Sequence, residues 1–162
     1  MKWNIIPQKF VADSMLGKFA KKLRLLGVDI KFFPDIEDSQ LIKIALSERR
    51  ILISSDRALC KRKIIRGMCF HLKNENLEEE IEIFLKEFKN TIEIKPFSRC
   101  MICNSPLINI QKENVIHLVP PYVYKNHDNF KKCPTCNRIY WKGTHMEKME
   151  DFLEKILKNL KS

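Results

Sequence analysis

The chain has 162 residues, 44% of them hydrophobic, and 30 Lys and Arg against 20 Asp and Glu, a formal net charge of +10. That hydrophobic content is enough to bury a core, and no run reaches the ~18 consecutive apolar residues of a membrane-spanning helix. The basic surplus favours polyanionic partners, because each phosphate neutralised by a cation releases condensed counterions.

Residues 1–95 carry 19 basic and 14 acidic side chains and residues 96–162 carry 11 and 6, so neither part is a basic tail on a neutral body. The N-terminus shows no signal-peptide pattern of basic start, apolar run and small-residue cleavage site. A cytoplasmic, reducing compartment is therefore expected. There the six cysteines read as metal ligands or free thiols rather than disulfides.

Short apolar runs alternate with helical patterns between residues 10 and 90, which predicts an α/β fold with a parallel sheet. Phe10-Val11-Ala12 is the first strand and stops at Asp13. Met15, Leu16, Phe19, Ala20, Leu23 and Leu26 recur at steps of three and four, so residues 15–26 form an amphipathic helix. Asp13 or Ser14 can cap that helix, Gly27 can end it, and Lys18, Lys21, Lys22 and Arg24 lie on its other face. Residues 28–33 alternate as a second strand closed by Pro34. A helix over 38–49 turns Leu41, Ile42, Ala45 and Leu46 inward.

Residues 51–53 are wholly apolar, the pattern of a strand covered on both faces. A basic helical turn with Arg57, Lys61, Arg62, Lys63 and Arg66 follows, then a strand over 68–72 and a helix over 77–88. Residues 90–98 read as a linker, dividing the chain into units at 1–92 and 96–162. A closing helix over 145–160 starts at Thr144-His145-Met146-Glu147, which fits a capping box.

Cys100-x-x-Cys103 and Cys133-x-x-Cys136 are two pairs of identical spacing with 29 residues between them. Two residues between thiolates let one tight turn aim both sulfurs at one ion, and two such turns complete the tetrahedron that zinc accepts. With four sulfurs the site is closed, so the zinc is structural. The long gap predicts a loop protruding between Val119 and Lys132. Cys60 and Cys69, in the other part, read as ordinary half-buried thiols. His145 is either a first-turn helix residue or an RNA contact beside free helix N–H groups. Tyr140 and Trp141 either stack on bases or fill the small ribbon core.

Asp13 follows the first strand, Asp38 opens the second helix and Asp56 follows the third strand. In a parallel sheet the first and last of these share the edge where open α/β folds bind ligands. Three carboxylates brought together call for a hard cation, Mg²⁺ or Mn²⁺, which can activate water against a phosphodiester. Aspartate is equally a common helix cap, and all three stand where a cap is expected. Glu48 is a surface residue or, with a tilted helix, a further ligand.

The string Phe10-Val11-Ala12-Asp13-Ser14-Met15-Leu16-Gly17-Lys18, continuing through Ala20 to Leu23-Arg24-Leu25-Leu26-Gly27, resembles the opening signature of a known family. It is the PIN-like RNase domain found at the C-terminus of the mut-seven exoribonucleases, which prokaryotes carry as a stand-alone protein. Asp38 with Leu41, Ala45 with Glu48, Arg50-Ile51-Leu52-Ile53, Asp56, both cysteine pairs and Tyr140-Trp141-Lys142-Gly143-Thr144-His145 extend the resemblance over roughly residues 9–150. It implies a PIN-like sheet sandwiched by helices with a fused zinc ribbon, and Asp13, Asp38 and Asp56 as the metal-binding acids. One departure is Ser54-Ser55 before the third acid, where the family usually has Thr-Arg: the hydroxyl is kept and the cation lost, unless Arg57 supplies it.

The expected activity is a Mg²⁺- or Mn²⁺-dependent ribonuclease. Lys18, Lys21, Arg24, Arg57, Lys61, Arg62 and His145 guide RNA, and the ribbon extends the surface. The alternative is a module of the same fold that binds RNA without cutting it.

Overall fold

The computed structural model describes residues 7–73 and 76–161, with the side chains of Thr144, His145 and Lys161 outside the description. Four strands, β1 (Phe10–Ala12), β2 (Ile30–Phe32), β3 (Ile51–Ser54) and β4 (Cys69–His71), form one sheet in the order β2-β1-β3-β4. Every pairing in it is parallel, with Phe10 opposite both Ile30 and Ile51. Helices α1 (Gly17–Leu25), α2 (Asp38–Ser47), α3 (Arg57–Cys60) and α4 (Leu77–Phe88) connect and cover these strands, and α6 (Thr144–Lys161) closes the chain.

Period-two alternation explains the layering. Phe10, Ala12, Ile51 and Ile53 point to one face and are buried with Phe19 and Leu23 of α1, Phe84 and Phe88 of α4, and Met149, Leu153 and Ile156 of α6. Val11 and Leu52 point to the other face and meet Leu41, Ile42 and Ala45 of α2 together with Leu59 and Ile65. Both central strands are therefore wholly buried, as their apolar sequences require. The Phe10 ring packs edge-on against Phe84 and Phe88 at 4.8 and 4.9 Å, an arrangement worth about 1 kcal/mol per pair beyond area burial.

Helix α1 starts later than its apolar period suggests. Its N-cap position is Leu16, without a side-chain cap, because the Asp13 carboxylate is engaged elsewhere. It ends at Gly27 in the left-handed region, φ 91°. A side chain there would collide with the Lys95 carbonyl oxygen, because the chain leaving α4 crosses at that point, bonding Lys95 N to Leu26 O at 2.9 Å.

The second sheet is antiparallel, β5 (Ile108–Ile110), β6 (Phe130–Lys132) and β7 (Ile139–Trp141), in the order β5-β6-β7. The loop expected to protrude between Val119 and Lys132 is instead folded. A 3₁₀ turn (Lys112–Val115) and helix α5 (Pro121–Asn126) bury Val115, Val119 and Val123 against Phe130. Valines at four-residue steps give one apolar face, and Pro121 sits at the first turn of α5, where its missing N–H costs nothing.

Candidate active site and metal centre

Each cysteine pair folds as a knuckle of the same form. The Cys103 and Cys136 amides point at the Cys100 and Cys133 sulfurs (3.3 and 3.4 Å), and the Asn104 and Asn137 amides close on the Cys100 and Cys133 carbonyls, each at 2.9 Å. Both asparagines have positive φ, 66° and 65°, a conformation Asn tolerates better than most residues. The four sulfurs lie within 4.8 Å of one another, and those of Cys100 and Cys136 are 3.7 Å apart. A tetrahedron of ~2.3 Å metal–sulfur bonds has edges of roughly 3.8 Å, so the set can hold a metal such as zinc.

Electrostatics agree. Burial and the neighbouring thiols push the Cys103 thiol up to about 12. Burial also opposes ionisation at Cys133, but the amides of Cys136 and Thr135 outweigh it and bring that thiol down to about 7. Four thiolates in one place need a cation to neutralise them. The Tyr140 hydroxyl sits 3.0 Å from the Cys100 sulfur and accepts from the Met101 amide at 3.2 Å. Burial and that sulfur push its phenol upward, so its proton remains to be donated.

The first knuckle docks on the parallel sheet through Arg24. This arginine was expected to guide RNA, and that expectation is corrected: it is 4% exposed. Its Nε donates to Ile30 O (2.9 Å) and its Nη1 to Met101 O and Ile102 O (both 3.0 Å). Asn104 completes the joint, accepting from Ile30 N and donating to Asp29.

The acids lie at the carboxyl edge of the parallel sheet, where β1 and β3 are neighbours and the chain departs to opposite sides, the position at which open α/β sheets bind ligands. Asp13 is 7% exposed. Its Oδ1 accepts from Met15 N (2.9 Å), and its Oδ2 accepts from Ser54 Oγ (2.6 Å) and Ser55 N (3.0 Å). Ser54 Oγ accepts in turn from Asp56 N at 3.0 Å, so one buried hydroxyl ties the first and third acids together. Asp56 caps α3 as sequence suggests, its Oδ1 accepting from Ala58 N and Leu59 N. Asp38 is the first residue of α2 and pairs with Arg62 at 3.4 Å, both half-exposed.

Among the described residues, the four cysteines are the one set of three or more ligating side chains that closes within 4.8 Å, so the three aspartates are not drawn into a comparable cluster. Oxygens bound directly to one Mg²⁺ at ~2.1 Å lie at most roughly 4.2 Å apart.

Glu48 is not part of this edge. It bonds Lys31 and Arg50, and Arg50 binds Phe10 O at the opposite end of the strands. Lys18, Lys21, Arg57, Lys61 and Arg62 are exposed. The His145 side chain lies outside the described residues.

Two features escape sequence reasoning. His71, at the end of β4, brings Nε2 to 3.2 Å from Ser55 O; only the register of β4 against β3 reveals it. Cys60 and Cys69, expected as free thiols, form a disulfide. The chain reverses from the end of α3 into β4 and brings their Cα atoms to 5.2 Å, inside the range a disulfide spans.

A family model described as Mut7-C RNAse domain matches residues 8–153. No curated protein matches the chain. No helix among the described residues is long and apolar enough to cross a membrane.

Proposed function

The chain belongs to the Mut7-C RNAse domain family, and from that premise we propose that it hydrolyses RNA phosphodiesters with a Mg²⁺ or Mn²⁺ ion at Asp13, Asp38 and Asp56. The observation that carries this reading is Asp13. It is a buried carboxylate facing three neutral donors, and among the described residues no cation pairs with it. A buried anion without a counter-ion is costly, and an external cation at the sheet edge relieves that cost.

A bound ion supplies the positive charge that phosphoryl transfer requires. The chain's own part is orientation. Ser54 and the Ser55 amide fix Asp13 Oδ2, and the Met15 amide fixes Oδ1. The α3 amides hold Asp56 Oδ1, so a metal would be held through Oδ2. Arg62 draws Asp38 toward the same end of the fold. Lys18, Lys21, Arg57 and Lys61 present exposed charge to the RNA backbone, and Arg57 stands two residues beyond the position where the family usually has its arginine. We propose zinc for the four cysteines, in a structural role.

The test is cleavage of single-stranded RNA with Mn²⁺. Asp13→Asn should lose at least about a hundredfold in rate, the scale on which a misplaced catalytic group acts; equal cleavage by wild type and variant removes the mechanism. A second reading, an RNA-binding module without catalysis, is favoured by the partners that Asp56 and Asp38 already have. It predicts RNA binding together with no carboxylate-dependent Mn²⁺ uptake by calorimetry.

A further inference from the structure

We propose that His71 is a positioning residue of the acid edge, and that it aims the Ser54-Ser55-Asp56 turn at Asp13 through Nε2. The inference deepens the ribonuclease reading and rests on it for its catalytic consequence.

The turn is held from both sides. On one side, Asp13 receives Ser54 Oγ and Ser55 N. On the other, β4 takes both carbonyls: Leu72 N donates to Ser54 O at 2.8 Å, and His71 Nε2 reaches Ser55 O at 3.2 Å. Ser54 and His71 are register partners in the sheet, so the imidazole is delivered by strand pairing rather than by a loop. A carbonyl oxygen only accepts, so Nε2 carries the proton of this bond. The peptide unit that joins Ser55 to Asp56 is thus pinned at both ends, its oxygen by His71 and its nitrogen by Ser54 Oγ. Loss of the first bond frees that unit to rotate, and the Asp56 amide rotates with it. Ser54 Oγ receives that amide and donates to Asp13 Oδ2, so the two acids lose their mutual alignment together.

Side-chain geometry supplies the discriminating test. Glutamine places its amide nitrogen near the position of Nε2, whereas asparagine places it near Nδ1. His71→Leu should lower kcat on single-stranded RNA about tenfold, with KM changed less than about twofold, because alignment and not binding is lost. His71→Gln should restore the rate to within about threefold, and His71→Asn should not. Independently of activity, the Asp56 amide should exchange its hydrogen about tenfold faster in His71→Leu and at the wild-type rate in His71→Gln, with the amides of α4 as the control for folding. Wild-type exchange at Asp56 in His71→Leu overturns the proposal. So does a rate that stays low in His71→Gln while Asp56 exchange is restored, because the imidazole would then act directly on RNA. If the wild-type protein cleaves no RNA, the ribonuclease reading fails, and the Asp56 exchange rates still decide whether His71 holds the turn.

Discussion

The guanidinium of Arg24 makes three hydrogen bonds to main-chain oxygens, two of them on residues inside the first knuckle. Removing it strands acceptors in a buried joint, so Arg24→Ala should cost about 3 kcal/mol in urea unfolding. Lys21→Ala, on the exposed side of the same helix, should stay within about 0.5 kcal/mol. Equal effects would mean that the joint contributes nothing. Periodicity placed both residues on one polar face of α1, and nothing local separates them. Two of the three carbonyls that claim Arg24 lie 77 and 78 residues further on, and only tertiary structure brings them near. Asp13 is similar. Its place after a wholly apolar strand is legible, but the diversion of its carboxylate from capping to Ser54 depends on β3 arriving alongside.

Strands β1 and β3 and helix α4 follow directly from apolar pattern, because their environments are uniform along their lengths. Strand β2 is less regular: Asp29 just before it bonds Arg50 before β3 and Asn104 in the knuckle, both at 2.7 Å. Burial works to raise the Asp29 carboxyl, but those bonds and the charges of Arg50 and Arg99 outweigh it and hold it below 3.8, its ordinary value. The depressed value means that the folded state binds the proton less readily than the unfolded chain. The resulting stability is complete above about pH 4 and is lost as pH falls through the lower, folded value. Glu48, held down by Lys31 and Arg50, adds in the same direction, while Glu80, raised by burial on α4, acts oppositely. The informative measurement is therefore the difference between wild type and Asp29→Asn. Urea unfolding from pH 6 to pH 3 should show a shallower acid decline in the variant, and parallel curves would refute the linkage.

At the scale of the whole molecule, the +10 charge is shared between both parts of the chain, and the exposed cations near the acids are a minority of it. If Lys18, Lys21, Arg57 and Lys61 each meet a phosphate, the logarithm of RNA affinity should fall with slope about −3 against the logarithm of salt, roughly fiftyfold between 50 and 200 mM. A slope near zero in fluorescence titrations would detach these residues from RNA. Net charge named the kind of partner but not the face that meets it, because charge counts carry no geometry. The sulfur atoms impose a practical condition of a different kind. Cys60 and Cys69 are joined, while the four knuckle cysteines carry free thiols, the state a metal requires. A reductant strong enough to guard the second group opens the first, and a milder buffer leaves the second open to oxidation. With metal in place and the bridge closed, an alkylating reagent should find no thiol; reduction alone frees two, chelation alone frees four, and both together free all six. Mass spectrometry of the alkylated chain therefore identifies which part of the molecule a given purification has preserved.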